Sequence, residues 1–157
     1  MKKYLFLLLV IVTGFSACKK DTTDDDFNTI AQANIDDAAL NAYFTANHIS
    51  PVKDPSGLYY TIDTPGTGAY PTSASVVNVS YVGKLLNGNV FDQSDLYNAT
   101  LSTGVIAGWS IGVPRINVGG TITLYVPSAM AYGNVANGDI PINSPLIFTI
   151  TLISIQQ

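Results

Sequence analysis

Hydrophobic and polar residues alternate most regularly at the end of the chain. Leu146, Phe148, Ile150 and Leu152 are interleaved with Ile147, Thr149 and Thr151, the repeat of a strand that buries one face. The same repeat holds for Ile122, Leu124 and Val126 against Thr121, Thr123 and Tyr125. It recurs for Val77, Val79 and Tyr81 against Asn78 and Ser80, and for Leu58, Tyr60 and Ile62 against Tyr59, Thr61 and Asp63. Turn residues punctuate these runs at Pro55-Ser56-Gly57, Pro65-Gly66-Thr67-Gly68 and Gly119-Gly120. Asn87-Gly88, two residues that tolerate positive φ, marks a hairpin. The period lengthens over residues 30–47, where Ile35, Ala39, Leu40, Tyr43 and Phe44 recur at helical spacing. That spacing predicts a helix capped by Asn34, with Asp36 and Asp37 near its positive end, docked on the domain or on a partner. His48 is expected to be a solvated residue following it. A second, short helix is predicted from Ala107 to Val113, limited by Gly108, Gly112 and Pro114. Together these elements predict an α+β fold: an antiparallel sheet wrapped around a short α-helix and preceded by an N-terminal helix.

One apolar run does not fit that domain. Leu5–Val12 follows Lys2 and Lys3 and precedes the small residues Ser16 and Ala17. It is shorter than the about 20 residues a membrane-spanning helix needs, and it reads as a cleaved signal peptide over residues 1–17. Cys18 directly after Ser16-Ala17 resembles a bacterial lipobox, although Phe15 stands where Leu is usual. The resemblance implies lipidation of Cys18 and a membrane anchor in the cell envelope, facing the periplasm or the surface. The polar run KKDTTDDDFN that follows is expected to be a flexible tether, and it also resembles the export signals of surface lipoproteins. The predicted organisation is therefore a signal peptide (1–17), a tether and helix (18–50) and a folded domain (51–157).

Composition narrows the chemistry. Hydrophobic residues make up 47% of the 157-residue chain and charged residues 11%, so it can bury a core rather than stay disordered. The net charge is −4 and becomes more negative when Lys2 and Lys3 leave with the signal peptide. Nothing in it offers the basic patch a nucleic-acid partner requires. Cys18 is the only cysteine and His48 the only histidine. A metal site of His and Cys ligands and a Ser-His-Asp triad are thus poorly supplied, and no cofactor is expected.

Five short motifs then occur in order: Tyr81-x-Gly83, Asn87-Gly88 with Phe91-Asp92, Val105-Ile106-x-Gly108-Trp109, Ala131-Tyr132-Gly133, and Ile140-Pro141 followed by Phe148. Over residues 56–157 the chain resembles the FKBP-type peptidyl-prolyl cis–trans isomerases. The resemblance implies that family's twisted antiparallel sheet curled around a short helix, with an apolar bowl between them. Carried over by position, Trp109 is the floor, and Tyr81, Phe91, Val105, Ile106, Tyr132, Ile140 and Phe148 are the walls. Asp92 is the polar member at the rim, ahead of a polar loop. Val105 and Ile106 offer backbone groups to a bound peptide, and the Tyr132 hydroxyl donates to a substrate carbonyl. Gly83, Gly88, Gly108 and Gly133 are read as backbone-permissive positions. Two departures stand out. Ala99 occupies a position where many members carry a bulky aromatic wall, which predicts a shallower bowl and weaker macrolide binding. No Arg follows Asp92 between Gln93 and Tyr97, which predicts that Asp92 leans on Tyr81 or on backbone.

This inventory suits prolyl isomerisation. The barrier to rotation is about 18–20 kcal/mol, yet no bond is made or broken. The twisted amide is less polar than the planar one, so an apolar cup favours it relative to water. The substrates implied are proline-containing polypeptides. The alternatives are a peptide-binding or chaperone module that keeps the bowl without the rate, and an adhesive or scaffolding lipoprotein. The oligomeric state is open, since the 30–47 helix could pair with a second copy.

Overall fold

The structure, a computed structural model, describes residues 22–156. The periodic segments form strands of one antiparallel sheet: β1 (Val52–Lys53), β2 (Tyr59–Thr64), β3 (Val76–Leu85), β4 (Val90–Thr100), β5 (Thr121–Val126) and β6 (Leu146–Gln156). They lie side by side in the order β1-β2-β5-β6-β3-β4. The helices are α1 (Thr22–Ala46) and α2 (Ala107–Gly112). This is the predicted α+β arrangement.

The two faces of the sheet carry different cargo. On the inner face Val77, Val79, Ile122, Leu124, Val126, Leu146, Phe148, Ile150 and Leu152 are buried against Trp109 of α2 and the following Val113 and Ile116. Ile62 of the β2 repeat is the exception, 44% exposed near the end of its strand. Helix α2 comes close enough to touch β5 because two of its positions lack side chains. A Cβ at Gly108 would lie 2.7 Å from Val126 Cγ1, and one at Gly112 would run into Leu124 Cδ2. Gly108 is therefore a packing residue rather than a conformational one, since its φ is not positive.

On the outer face a row of register partners, Tyr59, Tyr125 and Ile147, receives α1. Phe44 meets Tyr125 edge-on with centroids 4.9 Å apart and Tyr59 at 5.1 Å. The helix thus docks on its own domain. Among the described residues it already runs from Thr22 rather than from near residue 30, so this part of the expected tether is helical. Extending a helix already anchored by packing costs far less than nucleating one. Asn34 consequently lies inside the helix and caps nothing, and Asp36 and Asp37 are far from its start. The buried stripe contains Leu40 and Phe44 as expected but departs from the expectation at its start. Ile35 is exposed, whereas Asp36, Leu40 and Phe44 are buried at i, i+4 and i+8. His48 follows the helix as an exposed residue at φ 56°.

A further difference concerns the chain after Asp92. It continues as β4 to Thr100 instead of turning into a polar loop. Between the pairs Val79–Tyr97 and Tyr81–Ser94, and again between Gly83–Asp92 and Lys84–Val90, β4 carries one more residue than β3. These bulges break the two-residue period that would otherwise have announced the strand. No described helix is long and apolar enough to cross a membrane. Cys18 and the predicted signal peptide lie outside the described residues.

Candidate active site

The hairpin at Asn87-Gly88 forms as expected. Gly88 sits at φ 90°, its N–H donates to the Leu85 carbonyl, and the Asn89 N–H donates to Asn87 Oδ1. It sends β4 back along β3 so that Phe91 and Asp92 arrive opposite Gly83. A strict strand would put adjacent residues on opposite faces, but the bulge between Gly83 and Lys84 lets both Phe91 and Asp92 line the same hollow. Gly83 makes room for them. A Cβ there would lie 2.7 Å from Phe91 Cζ and 3.0 Å from Phe148 Cε1. Like Gly108, it is required by packing, whereas Gly88 and Gly133 do carry positive φ.

The hollow so formed has a volume of about 460 Å³, within the range of small-molecule and peptide side-chain sites. Trp109 lies at its base, 4% exposed, and the other rings stand on edge around it. Tyr81 is 5.0 Å from Trp109 at 78°, and Phe148 is 5.5 Å from it at 89°. Phe91 meets Phe148 at 5.5 Å and 84°. Edge-to-face packing of this kind holds rings rigidly, at about 0.5–1.5 kcal/mol per pair beyond burial. Val105, Ile106 and Tyr132 complete the lining among the expected residues. Ile140 does not reach the main hollow. It is buried in the inner core and lines a smaller adjoining hollow of about 240 Å³ that shares Phe91, Asp92 and Tyr132. The short turn that bridges Asn137 to Ile140 holds it there.

Sequence reasoning missed Tyr97, which lines the hollow and stands edge-on to both Tyr81 (5.7 Å) and Trp109 (6.2 Å). Ala99, where a wall was expected, is instead 1% exposed in the core, alongside Leu101. The aromatic wall is present but comes from Tyr97, so the ground for expecting a shallower bowl and weaker macrolide binding is removed. Continuing the β3 pairing through the polar stretch after Asp92 would have found it.

Polar groups are few and directed. The Tyr81 hydroxyl donates to Asp92 Oδ2 at 2.6 Å, so Asp92 does lean on Tyr81. Burial first, and the Asp92 bond next, hold the Tyr81 phenol well above the usual tyrosine range. It stays protonated and donating at any physiological pH. Ile106 precedes α2 in extended conformation, and its carbonyl accepts from Trp109 N–H at 3.0 Å. Its own N–H donates to no acceptor among the described residues. Trp109 Nε1 is buried without a partner among the described residues, as is Arg115 Nε outside the hollow. Unpaired buried donors are rare, and the one on Trp109 borders the hollow. No group of His, Cys, Asp or Glu side chains able to hold a metal occurs among the described residues.

Comparison with known proteins agrees with this geometry. Residues 68–153 match the family model for FKBP-type peptidyl-prolyl cis–trans isomerases. The chain is 38% identical over 138 residues to outer membrane protein MIP of Legionella longbeachae, an alignment covering 84% of this chain and 58% of that protein. It is 38% identical over 104 residues to the isomerase FkpA of Escherichia coli K12, covering 64% of this chain and 38% of that one. It therefore spans between 38% and 58% of the length of these two curated relatives. The crystal structure of a peptidyl-prolyl cis–trans isomerase from Pseudomonas syringae pv. tomato superposes with a TM-score of 0.71 at 33% identity, covering 82% of this chain and 96% of that one. With its motifs, its sheet and more than half its length in agreement, the chain belongs to the FKBP-type peptidyl-prolyl cis–trans isomerase family.

Proposed function

We propose that this chain catalyses cis–trans isomerisation of the peptide bond preceding proline in polypeptides of the cell envelope. The observation that carries the reading is the convergence of Tyr81, Phe91, Trp109 and Phe148 on one open hollow of about 460 Å³. A prolyl ring seats on Trp109 between Phe91 and Phe148. The amide then twists in surroundings that cannot solvate its planar, more polar form, so the barrier falls. Ile106 N–H holds a backbone carbonyl of the substrate, and the Tyr132 hydroxyl at the rim holds another. Tyr97 closes the side left open between Tyr81 and Trp109. Asp92, kept in place by Tyr81, orders the rim without taking a proton. No nucleophile is required, and lowering the barrier by about 5 kcal/mol accelerates exchange between three and four decades.

Anchoring through a lipid on Cys18, at about 0.8 kcal/mol per buried CH₂, keeps the domain at the membrane where exported chains fold. The outer-membrane designation of the Legionella relative supports an envelope location. An exchange assay on a proline-containing tetrapeptide tests the activity. Wild type should accelerate isomerisation, and Trp109→Ala and Phe148→Ala should each lose at least about tenfold. A wild-type rate equal to the uncatalysed one sinks the proposal. Incorporation of labelled fatty acid, lost in Cys18→Ala, tests the anchor.

A further inference from the structure

Asp36 and Ser128 are the two polar side chains that the described fold buries, each 1% exposed, and they are bonded to one another. A carboxylate is costly to bury unless its oxygens are satisfied. Asp36 meets that condition across two elements. Oδ2 accepts from Ser128 N–H at 2.7 Å and Ser128 Oγ–H at 2.6 Å, and Oδ1 accepts from Gln32 Nε2 at 2.7 Å. The donors on Ser128 belong to the short 3₁₀ turn Ser128–Met130, which follows β5 and leads directly into the wall of the hollow. The Ser128 carbonyl in turn accepts from Ala131 N–H at 2.9 Å and Gly133 N–H at 2.8 Å. Those two amides flank Tyr132, and Ala131 and Tyr132 both line the hollow.

A continuous path of short hydrogen bonds therefore runs from the outer-face helix to the rim of the site on the inner face. Nothing about docking α1 demands it, since Leu40 and Phe44 already bury the helix against Tyr59, Tyr125 and Ile147. An apolar residue at position 36 would serve that purpose more cheaply than a carboxylate. We infer that Asp36 is a positioning residue: through Ser128 it sets the place of Ala131 and Tyr132, making the N-terminal helix part of the frame of the site and not only its tether. The inference rests on the reading that Tyr132 contacts substrate.

The test uses the full-length chain. Asp36→Ala should lower kcat/KM on a prolyl tetrapeptide by roughly three- to tenfold, short of the ~100-fold that a 1 Å misplacement costs. Ile35→Ala, next to Asp36 on the same helix but exposed, should leave kcat/KM unchanged. In a Tyr132→Ala background the further loss from Asp36→Ala should shrink to less than about twofold, as expected of residues acting through one another. Amide hydrogen exchange provides an arm independent of activity: protection of Ala131 and Gly133 should fall in Asp36→Ala and be restored in part by Asp36→Asn, which keeps one acceptor oxygen. If Asp36→Ala does not fold, Asp36→Asn and Ser128→Ala carry the same comparisons. Unchanged protection at Ala131 and Gly133, or an Asp36→Ala loss undiminished in the Tyr132→Ala background, overturns the inference. Reduced protection in Asp36→Ala, together with a wild type that has no isomerase activity, would instead overturn the proposed function and uphold the positioning role.

Discussion

Adding one methyl group at Gly83 probes the site more sharply than removing a ring. Gly83 lies in β3 between Asp92 and Phe148, its register partners on the neighbouring strands. A Cβ built there would sit 2.7 Å from Phe91 Cζ, 2.8 Å from Phe91 Cε2 and 3.0 Å from Phe148 Cε1. Carbon atoms rest at about 3.5–4.0 Å, so the rings must withdraw by roughly 0.5–1 Å. Phe148 has nowhere to go, being 4% exposed and boxed in by Trp109 at 5.5 Å. Phe91 is only half-buried and borders open space, so it yields, and the space it yields into is the hollow. Overpacking of this kind costs about 1–3 kcal/mol. For a chain of this size that is a fall in Tm of roughly 2–10 °C. The catalytic loss should be larger in proportion, at least about tenfold in kcat/KM, because the displaced ring occupies the substrate's place. Both quantities come from the same preparation, by thermal unfolding and by the tetrapeptide exchange assay. Gly88→Ala is the control. Its Cβ meets open space but must adopt φ 90°, so it should lose about 1 kcal/mol of stability and keep kcat/KM. A Gly83→Ala protein with wild-type Tm and wild-type kcat/KM would falsify the claim that this position holds the rings apart.

Three further outcomes follow from the same contacts. Tyr97→Ala should weaken prolyl-peptide binding about three- to tenfold, whereas Ala99→Tyr should lose about 1–3 kcal/mol of stability and build no new wall, because position 99 is core; calorimetric titration and melting curves separate the two. Tyr81→Phe removes the 2.6 Å bond to Asp92 and with it an alkaline dependence of stability. The folded phenol titrates above the unfolded value of about 10, so its contribution is complete below that pH and declines as pH rises past it. Urea unfolding between about pH 8 and pH 11 should therefore fall more steeply in wild type than in Tyr81→Phe, and parallel curves would refute the assignment. Phe44→Ala, which empties the contact between α1 and the rings of Tyr59 and Tyr125, should cost about 3–5 kcal/mol in denaturant unfolding if the helix belongs to the domain; a much smaller loss would mean that it does not.

What could be foreseen from the chain, and what could not, divides along a physical line. The inner face of the sheet was legible because burial on one side of a strand imposes a two-residue repeat, which β5 obeys throughout and β6 obeys as far as Leu152, before an extra residue shifts the inward set to Ile155. The repeat fails where the site is built. At β4 one bulge places Phe91 and Asp92, neighbours in sequence, on one side, and a second falls between Ser94 and Tyr97, so the stretch reads as irregular and polar although it is a paired strand. Tyr97 was lost to view for that reason, and the apparent gap at Ala99 was an artefact of counting residues without the extra ones. The expected rings converge because the motif resemblance supplied their positions; alternation alone would have assigned Tyr81 and Phe148 to the core. Gly83 and Gly108 were misread for a related cause. A glycine's need for positive φ leaves a signature in turns, as at Asn87-Gly88, whereas a need for empty space depends on a ring or a valine arriving from another strand. Asp36 is the extreme case. A carboxylate beside Asp37 looks like part of a solvated face, and the partner that makes its burial affordable is Ser128, on a turn that only the tertiary fold brings alongside. Long-range polar pairing carries no local period, so the features hidden from the sequence are the ones that join the outer helix to the rim of the site.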